Sequence, residues 1–527
     1  MILPRTAALG RRGFLGVTAA SLTALPLAGL VRPSLAPAGL TGDPFRLGVA
    51  SGDPLPDGVV LWTRIAPDPV AEDGLGGVPD PRRPIGVRWE VSTDETFRGR
   101  SVVRRGVAVA EADLAHSVHV EVDRLQPDRV YWYRFRVGAH ISPVGRTRTA
   151  PAQDAVLGSM TFAFMSCQAY NNGYFTALRH LAADDLDVAF HLGDYIYEGG
   201  SVNGVDGRVN RPLHELVTLS DYRIRYGLYK SDPDLQAAHA SVAFVSVPDN
   251  HDIPFDHTVD PDPPAALERR AAAYQAYYEN LPLRRTSLPS GPAMQLFRRV
   301  RYGRLADFHV LDTQQYASDQ ALDETQNLEI RDDPDRTLLG DRQEQWLLEG
   351  MTSSTAAWNV LAQQSKVAET DDTVGPGEDF GGGGNWDGYD HSRETLFDAV
   401  HERGIDNMVV VSGDAHANMA ADLKPRSKDP DSPVVGAEFL GTSISTGGDG
   451  QDLGAAGRRR LEENPHVRFY NNRRGYQRCV VTPEVLRTDY LVLPSVTTPD
   501  APVVTRAVGY VENGRPGVAQ VEDGTVV

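Results

Sequence analysis

Two apolar runs of the sequence end in a glycine–aspartate turn: Asp187-Val-Ala-Phe-His-Leu-Gly-Asp194 and Asn407-Met-Val-Val-Val-Ser-Gly-Asp-Ala-His416. Each run has the length and composition of a short buried strand, and polar residues follow where that strand would end. In open α/β sheets, functional groups gather at the carboxyl ends of the strands. The two turns therefore predict a polar site at the edge of a sheet.

Two further apolar runs end in the same way. Ser166-Cys167-Gln168 follows the run over residues 162–165, and Asn250-His251 follows the run over residues 242–247. The four predicted strand ends carry a set of candidate site residues: Cys167, Asp194, Tyr197, Asn250, His251, Asp414 and His416.

The composition describes a large acidic protein. The chain has 527 residues and a formal net charge of −19, with 71 Asp and Glu against 52 Lys and Arg. This length is sufficient for two domains. A strongly acidic balance argues against nucleic acid as a bulk partner, and the sequence has no evident nucleic-acid platform.

The N-terminus has the pattern of an export signal. Arg11-Arg12 precede an uncharged stretch over residues 17–31 and the small-residue segment Ala36-Pro-Ala38. The uncharged stretch is shorter than the roughly 20 residues that a spanning helix needs. We therefore expect residues 1–38 to be a signal peptide for the twin-arginine export machinery, cleaved near Ala38. The mature protein would be secreted, with no stable membrane anchor.

The remaining chain changes character near residue 160. Before it, apolar and polar residues alternate with period two in several short runs, which predicts a small all-β sandwich domain over residues 39–148. After it, buried strands alternate with amphipathic helical stretches, which is typical of an α/β sandwich. The predicted fold class is therefore α/β, with a catalytic domain over residues 160–527. The period-two runs span residues 58–65, 86–92, 116–122 and 130–137; later helices are predicted at 264–281 and 341–351, and later strands at 308–311, 358–363 and 408–412.

The candidate residues have chemistry that suits a metal. A thiolate, a phenolate and carboxylates would repel one another in one crevice unless a highly charged cation held them, and ferric iron best suits phenolate with thiolate. In Asp414-Ala-His416 the spacing directs both side chains to one side of the backbone. Each residue alone also has an ordinary interpretation: Asp194 as a turn aspartate, Asn250-His251 as a capped surface turn, and Cys167 as one half of a disulfide with Cys479.

Other catalytic classes lack their motifs. The sequence contains no Gly-x-Ser-x-Gly nucleophile elbow, no Gly-Lys-Ser/Thr phosphate loop and no dinucleotide glycine fingerprint. Serine-triad hydrolysis and nucleotide-dependent chemistry therefore have little support.

A series of motifs in order along the chain matches a known family. These motifs are Gly48-Val-Ala-Ser-Gly-Asp-Pro54, Val59-Val-Leu-Trp-Thr-Arg64, Ser166-Cys-Gln168, His191-Leu-Gly-Asp-Tyr-Ile-Tyr-Glu198, Trp386-Asp-Gly-Tyr389, Ser412-Gly-Asp-Ala-His416 and Arg474-Gly-Tyr-Gln-Arg-Cys479. By them, nearly the whole mature chain resembles the alkaline phosphatase D (PhoD-type) family. This is a branch of the calcineurin-like metallophosphoesterases that includes a related secreted streptomycete phospholipase D.

The resemblance implies a metallophosphoesterase-type fold and a site with one ferric ion and two calcium ions. It implies that iron is held by Cys167, Asp194, Tyr197 and Asp414, that Asp194 is shared toward calcium, and that Asn250 and His416 occupy the remaining metal positions. From their own chemistry, an imidazole that can donate a hydrogen bond and a neutral amide oxygen, we expect His251 and Asn250 to be the catalytic residues. The implied reaction is hydrolysis of phosphate mono- or diesters by in-line attack of a metal-bound water or hydroxide.

Two segments depart from the family pattern, and two alternative functions remain. The chain has Pro248-Asp-Asn-His-Asp252 where the family usually has Trp-Asp-Asp-His-Glu, and it has Gln314 where the family usually has arginine. One alternative is a phosphodiesterase or phospholipase D acting at the same metal centre. The other is an exported binding protein with a structural metal site, although structural sites tend to be closed and uniform rather than mixed and open.

Overall fold

The computed structural model describes residues 39–40, 42–255, 262–319, 328–375, 380 and 384–524. The predicted signal peptide over residues 1–38 lies outside this part. These described residues lie within one compact unit. None of the helices within the described ranges combines the length and the hydropathy needed to cross a bilayer.

Twenty-three strands and eight α-helices form in the described residues. The strands are β1 (Val49–Leu55), β2 (Gly58–Arg64), β3 (Ile85–Ser92), β4 (Val102–Ala110), β5 (Ser117–Val122), β6 (Val130–Val137), β7 (His140–Ile141), β8 (Gly145–Arg148), β9 (Met160–Met165), β10 (Val188–His191), β11 (Ala243–Ser246), β12 (Arg298–Tyr302), β13 (Ala306–Val310), β14 (Trp358–Ala362), β15 (Met408–Ser412), β16 (Asn418–Leu423), β17 (Gly436–Leu440), β18 (Gly450–Gln451), β19 (Val467–Arg473), β20 (Gly475–Val481), β21 (Val485–Val492), β22 (Val504–Glu512) and β23 (Arg515–Asp523). The α-helices are α1 (Thr176–Ala183), α2 (Leu219–Lys230), α3 (Pro233–Ser241), α4 (Pro264–Asn280), α5 (Leu328–Arg331), α6 (Gly340–Thr352), α7 (Asp390–Glu402) and α8 (Ala455–Glu463).

Two large mixed sheets form the centre of the molecule. The ten-stranded sheet has the order β23-β22-β21-β20-β9-β10-β11-β1-β2-β5, and the eight-stranded sheet has the order β12-β13-β14-β15-β17-β16-β19-β18. Within the first, β9, β10 and β11 are parallel; within the second, β13, β14, β15 and β17 are parallel. Parallel neighbours need crossover connections, and these supply the helices. The predicted α/β sandwich is confirmed.

An aromatic core joins the two sheets face to face. Phe162 of β9 packs edge-on against Phe308 of β13 with ring centroids 5.0 Å apart, and Phe190 of β10 stacks on Phe308 at 4.7 Å. The opposite faces of the sheets are covered by helices, with Leu178 of α1 in one outer cluster and Leu396 of α7 in the other. Strands buried on both faces read as continuous apolar runs, which is why these strands could be recognised in the sequence.

The N-terminal β-rich segment shares a sheet with the rest of the chain. Strands β4-β3-β6-β7, with β8 beside β6, form a separate five-stranded sheet. It packs against β1, β2 and β5 through a buried cluster that includes Val59, Val87 and Phe135. However, β1 also pairs in parallel with β11, with Ser51 opposite Ala243. The second layer of the predicted small sandwich is therefore the edge of the ten-stranded sheet.

Candidate metal centre

The candidate site is assembled from loops at the ends of four parallel strands. Cys167 follows β9, Asp194 follows β10 and Asp249 follows β11, all in the ten-stranded sheet, while Asp414 follows β15 in the other sheet. A bridge between Ser166 and Ser443 pairs the two sheets at this edge. The strand-end pattern in the sequence thus converges on one place.

The loops of the site have unusual backbone conformations. Cys167, Asp194, Asp414 and His416 all have positive φ, at 58°, 53°, 65° and 51°. Such residues cost about 1–3 kcal/mol each and persist only where the surroundings hold them. The amide of Cys167 donates to the carbonyl of Gly193 at 3.1 Å, which ties the first two loops together. Four of the thirteen non-glycine residues with positive φ in the described ranges thus lie in these loops.

Gly193 allows the loops to approach closely. Its φ is +108°, and a Cβ at this position would lie 2.4 Å from the Cβ of Asp249. Only glycine avoids both the steric contact and the backbone strain. The glycine of the Gly-Asp turn is thus required by the approach of the neighbouring loop.

The first ligand group combines sulfur, oxygen and nitrogen. One potential ligand atom from each of Cys167, Asp194 and His416 lies within 4.8 Å of the others. The hydroxyl of Tyr197 donates to Asp194 Oδ2 at 2.9 Å and lies 3.3 Å from His416 Nε2. The Thr446 hydroxyl is within hydrogen-bond distance of the Tyr197 hydroxyl, at 2.9 Å. We call Cys167, Asp194, Tyr197 and His416 the mixed group.

The second ligand group contains carboxylates alone. Oxygens of Asp194, Asp249 and Asp414 lie within 4.8 Å of one another. Asp194 belongs to both groups, and both it and Asp249 are 1% exposed. The Gln314 amide donates to Asp249 Oδ1 at 2.6 Å, so the residue at the family's usual arginine position supports this group directly. We call Asp194, Asp249 and Asp414 the carboxylate group.

Of the two groups, one places His416 with Cys167 and the other places Asp414 with Asp249. The division of the ligands between iron and calcium that the resemblance implies stays a prediction. Asp249 was not among the sequence candidates. Asp249 comes one residue before Asn250, just after the apolar run that ends at Val247 and Pro248. Its position at the end of a predicted strand could therefore have identified it as a candidate.

Asn250 and His251 lie on the solvent side of the ligand groups. Asn250 is exposed, and none of the hydrogen bonds found among the described residues joins its side chain to either group. The amide of His251 donates to Asp194 Oδ1 at 3.4 Å, and its ring lies 4.3 Å from the Tyr197 ring, centroid to centroid. The fold thus brings His251 to the site and leaves the Asn250 side chain at its rim.

Glu198 orients His251. His251 Nδ1 lies 2.7 Å from Glu198 Oε2. Burial lowers the pKa of His251, but the hydrogen bond with Glu198 and the charge of Asp194 outweigh it and raise this pKa to about 9. The pairing with Glu198 thus favours the protonated ring, in which both nitrogens can donate hydrogen bonds. Glu198 was not among the residues predicted for the site, although it ends the motif that contains Asp194 and Tyr197.

Asp252 links the loop that follows β10 to the loop that follows β11. Its carboxylate accepts the backbone N–H groups of Tyr195, Ile196 and Asp249 at 3.2, 3.0 and 3.1 Å. It is fully buried. The shorter acid in place of the family's usual glutamate thus holds the Asp194 loop against the Asp249 loop.

The electrostatics of the site call for a cation. Burial, together with the charges of Asp194 and Asp414, raises the pKa of the Cys167 thiol well above its usual value. Burial and the Asp194 charge likewise raise the pKa of the Tyr197 hydroxyl and raise that of Asp414 to about 6. These groups cannot all be anionic unless positive charge compensates them. A multivalent ion would do so, and the donor set fits one.

The two cysteines do not form a disulfide. Both are free and buried. Cys479 lies on β20 with its sulfur 3.3 Å from the Thr488 hydroxyl, and Cys167 lies in the mixed group. The alternative of a Cys167–Cys479 bridge is therefore wrong.

Comparison with known proteins identifies the family of the chain. The family model described as PhoD-like phosphatase matches residues 162–490, and that of the PhoD-like phosphatase N-terminal domain matches residues 32–151. The chain is 47% identical over 499 residues to alkaline phosphatase D of Bacillus subtilis (strain 168), covering 92% of this chain and 83% of that protein. A solved structure described as PhoD superposes with a TM-score of 0.87 at 46% identity, covering 92% of this chain and 94% of the other. The chain belongs to the PhoD-like phosphatase family and is an alkaline phosphatase D-like hydrolase of phosphoric ester bonds.

Proposed function

We propose that this phosphoesterase is metal-dependent and that its chemistry takes place where the mixed group meets the carboxylate group. The observation that carries the proposal is the shared Asp194. One buried carboxylate within 4.8 Å of both Cys167 and Asp249 is suited to bridging two cations. We further propose one ferric ion and two calcium ions as the bound metals.

The donor chemistry of the two groups supports this choice. Thiolate, phenolate and imidazole in the mixed group suit a transition-metal ion, and ferric iron in particular accepts phenolate and thiolate together. Carboxylate oxygens suit calcium, a hard cation. Asn250 would add a neutral amide oxygen at the rim, as a calcium ligand or as a contact to the phosphate group.

The cations would supply charge neutralisation for the phosphate oxygens and a lowered pKa for a coordinated water. The chain's own residues supply orientation. His251, fixed through Nδ1 by Glu198, is suited to donate from Nε2 to a phosphoryl or leaving-group oxygen. Asn250, exposed next to it, is suited to contact the substrate. The reaction needs no covalent phosphoserine, in agreement with the missing nucleophile motif.

We also propose that residues 1–38 direct twin-arginine export and that the cleaved enzyme is secreted. Residues 39–148 would then act as a bracing N-terminal domain and residues 160–527 as the catalytic domain. The buried Arg64 supports the bracing role, since its guanidinium contacts the Asn280 side chain at 3.2 Å, at the end of α4. Sequencing the N-terminus of the exported protein would test the cleavage site.

One experiment tests the proposed function most directly. Elemental analysis is combined with kinetics on a monoester and a diester, using a single preparation. We expect iron and calcium in stoichiometric amounts and metal-dependent hydrolysis of at least one ester. A fully active preparation free of both metals would overturn the proposal. A clear preference for the diester would instead favour the phosphodiesterase or phospholipase D alternative at the same site.

A further inference from the structure

Arg225 of α2 is a buried arginine whose hydrogen bonds go to main-chain carbonyl groups. Its guanidinium donates from Nε to the carbonyl oxygen of Arg211 at 3.0 Å, from Nη2 to that of Pro212 at 3.0 Å, and from Nη1 to that of Gly199 at 3.1 Å. A further hydrogen bond from Nη1 reaches the carbonyl oxygen of Tyr197. One guanidinium thus joins the two stretches of chain that contain these four residues.

The charge of Arg225 has no close partner. Among the described residues, no carboxylate forms an ion pair with it, and burial lowers the pKa of its guanidinium. Arg223, two residues earlier in the same helix, is also buried but pairs with Glu279 at 2.6 Å. A buried cation without a counter-ion is costly unless polar groups satisfy it, as the carbonyl groups do at Arg225. The contribution of Arg225 therefore lies in the main-chain geometry that it imposes.

The main chain from Tyr197 to Gly199 is held at each of its three carbonyl groups. The Arg225 guanidinium binds the first and the last. The amide of Leu216 donates to the carbonyl oxygen of Glu198 at 3.0 Å. Asn210 Nδ2 also donates to the carbonyl oxygen of Gly199, at 3.0 Å. Fixing successive carbonyl groups fixes the directions of the side chains between them, since each residue has only two soft backbone dihedrals.

The side chains on this short segment are both used in the candidate site. The Tyr197 hydroxyl lies in the mixed group, 2.9 Å from Asp194 Oδ2. The Glu198 carboxylate lies 2.7 Å from His251 Nδ1. A shift of the main chain between these two residues would therefore move a ligand of the mixed group and the partner of His251 together.

Arg225 also closes the base of the loop formed by residues 200–210. The same guanidinium binds carbonyl groups on both sides of this loop, the pattern of an Ω-loop, whose ends lie close together. Within the loop, Arg208 donates from Nε to the carbonyl oxygen of Tyr170 at 2.9 Å, and its guanidinium lies 3.8 Å from the centre of the Tyr170 ring. Tyr170 belongs to the segment that follows Cys167. The loop therefore connects the end of β10 with the end of β9.

We propose that Arg225 is a positioning residue for phosphoester hydrolysis, which sets the Tyr197 hydroxyl and the Glu198 carboxylate in place through the main chain between them. A planar guanidinium can donate to several carbonyl groups in fixed directions, whereas a lysine ammonium is a compact charge on a flexible stem. The roles of Tyr197 as a metal ligand and of His251 as a hydrogen-bond donor are those of the proposed function, on which this proposal rests.

Arg225→Lys, which keeps the charge and removes the planar fork, tests the proposal. The matched control is Arg223→Lys, at the buried arginine of the same helix that pairs with Glu279. We expect both variants to keep the iron and calcium contents of the wild type. In Arg225→Lys, kcat should fall by about 10–100-fold with KM unchanged. Its visible absorption maximum should shift, because the phenolate oxygen is displaced. The control should keep the wild-type kcat and spectrum.

Two further measurements separate positioning from a general loss of structure. The Leu216 amide should exchange its hydrogen faster in Arg225→Lys than in Arg223→Lys, because its acceptor on Glu198 is displaced. In the double variant Arg225→Lys/Glu198→Gln, the loss of kcat should be smaller than the product of the two single losses, since Arg225 acts in part through Glu198.

Several outcomes would overturn the proposal: a wild-type kcat and spectrum in Arg225→Lys, equal changes in Arg225→Lys and Arg223→Lys, or fully multiplicative losses in the double variant. If Arg225→Lys does not fold, Asn210→Ala decides, because it removes one donor to the Gly199 carbonyl and should produce the same changes at smaller size. Wild-type behaviour of Asn210→Ala would then overturn the proposal. A wild type without iron would contradict the proposed function instead, while faster exchange at Leu216 with non-multiplicative losses would still support the role of Arg225.

Discussion

The mixed group and the carboxylate group share one aspartate but differ in almost every other respect. The mixed group has a thiol, a phenol and an imidazole, whereas the carboxylate group has three acids. The first set suits a ferric ion and the second suits calcium. The difference teaches that one crevice can hold two donor sets of different chemistry that share Asp194, between which the proposed iron and calcium would divide. Because the two groups differ in chemistry, substitutions can test the mixed group and the carboxylate group independently.

Replacing the shared residue should have the largest effect. In Asp194→Asn the bridging charge is lost from both groups, so we expect loss of iron and calcium and a fall in kcat of about 10⁴-fold or more. Metal analysis and ester hydrolysis measure both effects. Asp185→Asn, at a carboxylate that is 91% exposed, is the control. Retention of both metals in Asp194→Asn would contradict the bridging role.

Removing the thiol should affect the mixed group alone. Cys167→Ala is expected to lose iron and the visible absorption of a ferric phenolate–thiolate site, with calcium retained and activity reduced by about 10³-fold. Absorption spectroscopy and metal analysis together show whether iron is lost while calcium is retained. Cys479→Ala, which truncates the other buried cysteine, should keep its colour. A colourless wild type with full activity would rule out the ferric assignment.

Changing the carboxylate group should have the opposite signature. In Asp249→Asn we expect weaker calcium binding, by about 10–100-fold, with colour and iron content unchanged. A calcium chelator applied to the wild type should likewise lower activity, and the visible absorption should stay unchanged. Calcium titration of activity measures the effect. Gln314→Leu removes the supporting hydrogen bond and should produce a smaller shift in the same direction. A loss of colour in Asp249→Asn would show that the two groups are not separable.

Releasing His251 should change catalysis without changing either metal. Glu198→Gln removes the charge that orients the ring and raises its pKa, so we expect kcat to fall by about tenfold while KM and metal content stay the same. Steady-state kinetics with metal analysis measures this. Glu215→Gln, at a carboxylate that is 59% exposed, is the control. Loss of metal in Glu198→Gln would instead make Glu198 part of the metal site's support.

Much of the fold could be predicted because its central strands are locally distinctive. The predicted strand over 408–412 is confirmed as β15, and the helix predicted at 264–281 is confirmed as α4, Pro264–Asn280. The antiparallel strands β20 to β23 were not predicted. Their residues alternate less regularly, and β20 joins the sheet beside β9, more than 300 residues earlier in the chain. Such a pairing has no local signal.

The candidate site, like the fold, could be predicted where its signal is local in the sequence and not where it depends on distant partners. The residue types at the strand ends could be recognised, since each lies within a few residues of an apolar run. Asp249 and Glu198 were missed because their importance depends on partners distant in sequence, Gln314 and His251. Asn250 was selected for its type, but its side chain is exposed at the rim.

By itself, the sequence determined the family, the α/β class and the inventory of polar groups that follow the strands, because strand and turn propensities are local. Only the tertiary structure decided which groups meet. Cys167 and His416 are brought together by two different sheets, and Asp414 joins Asp249 through loops from separate strands. The two groups of side chains that share Asp194 therefore arise from how the sheets pack, and no single stretch of the chain contains either of them.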